Sequence, residues 1–484
     1  MRIVKCLMWL AATAAVVLCP LLAGGAPAAT DSLPPIHLSL EQAIDEALKA
    51  NPGLKAAGHQ SRAAEGDASA ASRSRWGGLN AVGSYSYLND DQIIRPMSSQ
   101  LLAGGFAGAP WDRSQAHYGV SYDIPLYLGG KLDNQVQIAR LEARKSAELL
   151  EGSRWQVRFN VVSLYSTAQA LDQAAAALDE QIAALTQTKT NLDEMVSLGK
   201  RPDVDRLKVV EDLEAAKSDR AGIGADRRRV ATLLLSVLGR DPAGDVTLEA
   251  QAGSADFQSA VSPASSRQTV ESSGAADHSQ PSRIGNPRYS RLEVCATNAL
   301  PPAVTDNSVI RTARLSAEQA ARGVKVARSE FLPKVYAGAN YLENTGTTID
   351  RNAETWGATV SVSLPLFEWG SRFSKLKAAR ARQDAATEAL RQTQLQTEAA
   401  WQDALAKFDA AKTNVDAAQA RVAAGTEAAR IEQVRYDTGA STIEDLLRAR
   451  SREEAARAAL ASARADLVIS GARINTIAEK EILP

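Results

Sequence analysis

Aromatic residues are scarce, at 5% of 484 residues, and the chain has only three cysteines and four histidines. Large side chains fill thick globular cores, so this chain lacks material for the about three domains that ~150 residues per domain would suggest. The few cysteines and histidines leave little for thiol or metal chemistry. No P-loop, nucleophile elbow or His/Cys cluster occurs, so neither an enzyme nor a cofactor or metal site is expected. A charge excess is also missing, with 55 Lys+Arg against 56 Asp+Glu and a net charge of -1. Nucleic-acid binding requires a clustered basic excess, so no nucleic-acid partner is expected. Mean hydropathy is -0.21, too polar for a bundle of membrane-spanning helices.

The N-terminus carries a compartment signal. Arg2 and Lys5 precede an apolar stretch, Cys6 to Leu18, and the small-residue site Ala26-Pro27-Ala28 follows. This is the layout of a secretory signal peptide, expected to be cleaved after Ala28. The stretch is shorter than the ~20 residues of a spanning helix. Leu18 and Pro20 flank Cys19 and argue against its lipidation. Loss of residues 1–28 removes two basic residues and no acid, leaving a net charge of -3 and Cys295 as the sole cysteine. No intramolecular disulfide is then possible in an oxidising compartment.

The remainder reads as two copies of one unit. Pro125-Leu126-Tyr127 recurs as Pro365-Leu366-Phe367, 240 residues further on. The same separation relates Gly130 to Gly370, Gly199 to Gly439, Asp205 to Asp445 and Leu207 to Leu447. Upstream, Asn51 to Lys55 resembles Asn307 to Arg311 at a separation of 256. The extra length falls in one loop, Asn89 to His117 in the first copy against Asn344 to Thr355 in the second. The expected organisation is a signal peptide (1–28), a first repeat (29–238), an inter-repeat linker (239–304) and a second repeat (305–484). Gly253 to Gln280, rich in Ser, Ala and Gly, reads as a flexible insertion in that linker. His278 and Cys295 fall in the linker and are read as tolerated there.

Within each copy the expected order is helix, strand, loop, strand, very long helix, sharp turn, helix. Tyr118, Val120, Tyr122, Ile124 and Leu126 alternate with small or polar residues, as do Trp356, Ala358, Val360, Val362, Leu364 and Leu366. This is the period of two of a strand. Weaker partner strands are expected at Leu79–Leu88 and Lys334–Leu342. About ten residues with aromatics near the ends suits a strand crossing an outer membrane. Lys131 to Leu198 and Arg372 to Thr438 contain no proline and one glycine each. At ~1.5 Å per residue each makes a helix roughly 100 Å long, a coiled-coil or bundle element rather than part of a compact core. Leu40 to Arg75 and Asp203 to Leu238 read as helices of 36 residues each, so two stacked end to end span one long helix. The fold class is mostly α with membrane β, built as antiparallel coiled-coil helices plus four barrel strands per protomer. Four strands cannot close a barrel, and lipid tolerates no open sheet edge. Two protomers give eight strands with a filled interior, and three give twelve with a lumen. The helical rows close into a tube under the same symmetry.

This layout resembles the TolC-like outer-membrane efflux and secretion channels. The resemblance rests on Leu38-Ser39-Leu40-Glu41-Gln42-Ala43 with Asn51-Pro52, on the junctions Pro125…Gly130 and Pro365…Gly370, and on two hairpin tips. The tips are Val196-Ser197-Leu198-Gly199…Asp203-Val204 and Tyr436-Asp437-Thr438-Gly439…Thr442-Ile443-Glu444-Asp445-Leu446-Leu447. It implies a homotrimer with a twelve-stranded barrel in outer-membrane lipid on a periplasmic helical tunnel. It implies export driven by an inner-membrane pump through a periplasmic adaptor (membrane fusion protein). It also implies adaptor docking at Val196, Leu198, Gly199, Val204, Tyr436, Gly439 and Ile443. The implied constriction comprises Asp203, Tyr436, Ser441, Glu444, Asp445 and Arg448. Asp203 also suits a helix N-terminal cap. In a ring, three Asp445 carboxylates would raise one another's pKa. Ser441 and Arg448 depart from the family pattern, which has an arginine and an acid there, and Arg448 can pair with Glu444 at i,i+4. A mixed-charge entrance is therefore expected. Rival readings are a periplasmic adaptor, which should carry β-rich segments around one hairpin, and a pore-less structural coiled coil.

Overall fold

The computed structural model describes residues 36–94, 111–244, 246–249, 302–346 and 353–481. The expected signal peptide with Cys19, the Gly253–Gln280 stretch with His278, and Cys295 lie outside the described residues.

Strand β1 (Ile36–Leu38) leads into α1 (Leu40–Ala50), which opens on a capping box of Ser39 and Gln42. The continuous helix expected over Leu40–Arg75 is broken at Asn51. Pro52 pushes the preceding residue out of the helical region, and Asn51 sits at φ -53°, ψ 122°. Its Oδ1 accepts from Leu54 N–H at 3.0 Å and caps α2 (Pro52–Arg73), while its Nδ2 donates to the Val237 carbonyl at 2.7 Å.

Strands β2 (Gly78–Ile93) and β3 (Trp111–Tyr127) are longer than the sequence pattern implied, so both ends of the expected Asn89–His117 loop are paired backbone. A register shift between Tyr87 and Gln92 carries the ladder past the polar run Asn89-Asp90-Asp91, which breaks the alternation. Then follow α3 (Lys131–Ser197), α4 (Asp203–Leu238) and β4 (Val246–Leu248). Strand β4 lies in the segment read as linker and pairs in parallel with β1. The short α5 (Pro302–Thr305) and α6 (Ser308–Ser329) precede β5 (Lys334–Gly346) and β6 (Ala353–Ser363). The expected loop from Asn344 to Thr355 is thus narrowed from both sides, and Leu364–Leu366 fall beyond β6, where Pro365 supplies no ladder donor. Helices α7 (Ser371–Asp437) and α8 (Ile443–Ala478) complete the chain.

The two halves match in length, with α3 and α7 at 67 residues, α4 and α8 at 36, and α2 and α6 at 22. Side by side, the helices form four rows: α2 with α4, then α3, then α6 with α8, then α7. Each half-length pair stacks along its full-length neighbours, as the lengths predict. The core is thin and divided into separate clusters along the rows rather than one mass. Alanines such as Ala404, Ala411 and Ala418 of α7 are buried and allow close helix approach. The β1–β4 pair is stitched to α3 by Tyr165, whose hydroxyl lies 3.0 Å from the Leu38 carbonyl and 2.7 Å from that of Glu249.

At the far end the antiparallel sheet runs β2-β3-β5-β6. Its register sorts side chains by chemistry. Ala81, Val120, Tyr341 and Trp356 stand abreast on one face, and Asn80, Ser121, Asn340 and Gly357 on the other. Strands β2 and β6 are edges, each paired on one side only among the described residues. No described helix is long and apolar enough to cross a membrane.

Candidate functional site

The two hairpin tips are built alike. After α3, Gly199 N–H bonds the Val196 carbonyl and Lys200 N–H the Met195 carbonyl, both at 2.9 Å. After α7, Gly439 N–H bonds the Tyr436 carbonyl at 3.0 Å and Ala440 N–H the Arg435 carbonyl at 2.7 Å. Both are Schellman closures, which require a left-handed residue after the helix, and Gly199 and Gly439 supply it at φ +69° and +76°. The returning helices start differently. Thr442 caps α8, with Asp445 N–H donating to its Oγ1 at 3.2 Å and its own hydroxyl donating to Asp445 Oδ2 at 2.7 Å. Pro202, held extended, occupies the cap position of α4 and provides no side-chain acceptor.

Asp203 therefore does not cap. It is the first helical residue of α4, and its Oδ1 accepts from Arg206 Nε at 2.6 Å. That bond holds its carboxyl below the usual aspartate value. The bonds from the Thr442 hydroxyl and backbone N–H likewise lower the Asp445 pKa within one protomer.

A cluster beneath the tips joins both hairpins: Leu185 and Leu192 of α3, Val209 and Leu213 of α4, Tyr436 of α7, and Ile443 and Leu446 of α8. Ile443, at 2% exposure, faces this core and offers no surface to a partner. Leu198 and Val204 are exposed at 61% and 58%. Met195, Leu207 and Val434 are also exposed and were not assigned to a docking surface from the sequence. Amphipathic spacing does not separate the tip's outer face from its inner one there. Val196 is half-buried.

Tyr436 lies under the Arg201 guanidinium, 4.9 Å from the ring centre, and Arg201 Nη1 is 4.0 Å from Asp205 Oδ2. Among the described residues the buried hydroxyls of Tyr436 and Ser441 have no hydrogen-bond partner. Burial raises the Tyr436 pKa. Asp203 and Tyr436 are thus engaged by different arginines. Glu444, Asp445 and Arg448 are brought together: Arg448 Nη2 lies 2.8 Å from Glu444 Oε1, and its Nη1 lies 3.8 Å from Asp445 Oδ1. Lys208 of the other hairpin adds a cation 3.1 Å from Glu444 Oε2. No sequence signal marked Lys208, because its partner is 236 residues away.

A membrane-type sheet carried on long paired hairpins defines an outer-membrane channel fold. The family described as outer membrane efflux protein matches residues 43–240 and 301–478. The chain belongs to the outer membrane efflux protein family, which is a family of transport channels and not of enzymes. Among solved structures the chain is similar to the Campylobacter jejuni CmeC outer membrane channel, at 17% identity over 92% of this chain and 87% of that one, TM-score 0.71. The Vibrio cholerae outer membrane protein VceC is 18% identical over 92% of this chain and 97% of its own, TM-score 0.68. The open state of the Neisseria gonorrhoeae MtrE outer membrane channel is 19% identical over 92% and 89%, TM-score 0.67. Identities this low establish the shared fold alone. No curated protein matches the sequence. The adaptor and pore-less coiled-coil readings do not fit this membership.

Proposed function

We propose that three copies of the chain form the outer component of a tripartite export assembly, passing substrates from the periplasm to the exterior. One observation carries this reading: a four-stranded sheet with one apolar face and two open edges sits on a row of helices that is also open at both flanks. Open sheet edges are not tolerated in lipid, and rotation by a third of a turn closes the sheet into a twelve-stranded barrel and the helical row into a tunnel. The apolar row Ala81-Val120-Tyr341-Trp356 then faces lipid and the Asn80-Ser121-Asn340-Gly357 row lines the lumen.

In this reading the hairpin tips narrow the periplasmic entrance and receive an adaptor coupled to an inner-membrane pump. Leu198 and Val204, with Leu207, Met195 and Val434, form the adaptor-facing surface. The Lys208-Glu444-Arg448-Asp445 cluster sets a mixed-charge entrance, with two cations against two anions. The sequence layout supports the division into an exported leader (1–28), two repeats and a linker. The test is detergent extraction followed by mass measurement and planar-bilayer recording. A detergent-requiring trimer with steady conductance is expected, and a soluble monomeric rod refutes the reading.

A further inference from the structure

The two strand-to-helix junctions differ where the repeat makes them comparable. In the first, Gly129 and Gly130 turn the chain into α3 at φ +61° and +78°. A Cβ on Gly129 would lie 2.7 Å from the Leu332 Cβ, so the place is sterically closed to a side chain. In the second, the same turn is made by Trp369 and Gly370 at φ +52° and +80°. A non-glycine residue in the left-handed region is strained, and here it carries the largest side chain. Trp369 is 90% exposed, its ring touching Phe367 edge-on at 5.1 Å. The other described non-glycine residue at positive φ, Glu479, instead bonds Arg311 and the Ser308 N–H. Leu366 and Phe367 are exposed beside Trp369, and Leu364 and Leu366 prolong the apolar face of Val360 and Val362 past the last paired residue of β6.

The helix that follows adds a second, independent observation. Its N-terminal stretch carries Arg372, Lys375, Lys377, Arg380 and Arg382 before the first acid, Asp384. Cations at a helix N-terminus oppose its dipole. Arg372 is buried over the Phe331 ring and 3.6 Å from Glu368. Lys375, Lys377, Arg380 and Arg382 are exposed and have no ion pair or hydrogen bond among the described residues. At 100° per residue, Lys375 and Arg382 share one flank of the helix and Lys377 and Arg380 the other. The start of α3 lacks this feature: Lys131 pairs with Glu330 at 2.8 Å, and Asp133 with Arg75 at 2.6 Å.

We infer that this junction is an anionic-phospholipid anchor. Leu366, Phe367 and Trp369 enter the boundary between acyl chains and headgroups of the periplasmic leaflet, and the cations at the start of α7 hold the phosphates. The inference rests on the outer-membrane channel reading above. Continuity with the sheet's apolar face favours lipid as the occupant. An indole suits it, having an apolar body and one N–H for the wet side. A second copy would meet β6 along its edge, through β2, and leaves to lipid the outward face on which Leu364 and Leu366 continue Val360 and Val362. The strained backbone at Trp369 is then repaid outside the protomer.

The test uses the full protein in mixed phosphatidylcholine–phosphatidylglycerol vesicles, with Cys295→Ser and one spin label at Trp369→Cys, Leu366→Cys or, as a control on the sheet, Val360→Cys. At all three positions collisions with oxygen are expected to exceed those with a water-soluble nickel chelate. Lys375→Gln/Lys377→Gln is expected to lower selectivity for spin-labelled phosphatidylglycerol by about fivefold. Labels at positions 366 and 369 that report water while Val360 reports lipid overturn the anchor alone. Labels shielded from both reagents until the oligomer dissociates assign the surface to a second copy and overturn it too. A Val360 label that reports water sinks the channel reading itself. Unchanged lipid selectivity in the double variant removes the anionic part of the proposal.

Discussion

Gly199 and Gly439 hold the hairpin tips by conformation rather than contact, since a Cβ at either would meet nothing within 4 Å. Gly439→Ala is therefore expected to cost about 1 kcal/mol through left-handed strain alone, read as a lower melting temperature and faster proteolysis at the tip. Thr442→Ala removes the cap acceptor for the Asp445 N–H and should cost about 1 kcal/mol, whereas Ser is tolerated. The pH dependence has a definite sign. The Asp445 carboxyl is held below its ordinary value by Thr442. Its contribution is therefore full above the unfolded aspartate pKa of ~3.9 and is lost as pH falls through the lower folded value. Tip proteolysis should be flat from neutral pH to about 4 and should rise only below that. Thr442→Ala should weaken the dependence, leaving the part supplied by Arg448, Arg435 and the Asp203–Arg206 bond.

At the scale of elements, the buried clusters lie mostly within one repeat, and the cluster at the tips joins helices of both. Leu446 is 1% exposed and lies where α3, α4, α7 and α8 meet. Leu446→Ala should cost about 3 kcal/mol, transfer and cavity effects together, and should loosen both hairpins at once. The Lys208–Glu444 pair crosses the same seam at 3.1 Å with both side chains about half exposed. A double-mutant cycle should return only about 0.5 kcal/mol, falling with added salt. Its consequence is alignment of the hairpins rather than stability. Midway along α3, Tyr165→Phe removes the hydroxyl that serves the Leu38 and Glu249 carbonyls. Release of the β1–β4 pair to protease, at a cost of about 1–3 kcal/mol, is the expected outcome.

For the whole molecule, the length is spent on two extended units with little globular core, which is why aromatics are scarce and alanine plentiful. Charge near neutrality conceals a local arrangement. Arg448 lies beside Glu444 and Asp445, and Lys208 joins them. Multivalent cations should therefore block single channels weakly. Arg448→Ala should strengthen the block by leaving two carboxylates per protomer with one cation between them. Strong block of the unaltered channel, abolished by Asp445→Ala and indifferent to Arg448, would contradict the mixed-charge entrance.

Much of the fold was legible because its signals are local. Proline-free runs bounded by Gly199 and Gly439 mark α3 and α7 to within a residue, since propensity and a left-handed closure act over a few residues. The period of two in Tyr118 to Ile124 places the apolar face of β3, because alternation follows from the pleat itself. The helix break at Asn51 was written in the Asn-Pro pair and its recognition needed only that local rule. Other features depend on what packing brings near. Three-residue strands at Ile36 and Val246 have no pattern of their own and exist only because Tyr165 and the ladder hold them together. Ile443 looks like a surface anchor in a tip motif, yet the crossing of two hairpins buries it. Composition and spacing, being properties of the chain read in order, determined the repeat, the long helices and the sheet. Tertiary structure alone decided which charges meet at the hairpin tips, because Lys208 and Glu444 lie on segments remote in sequence.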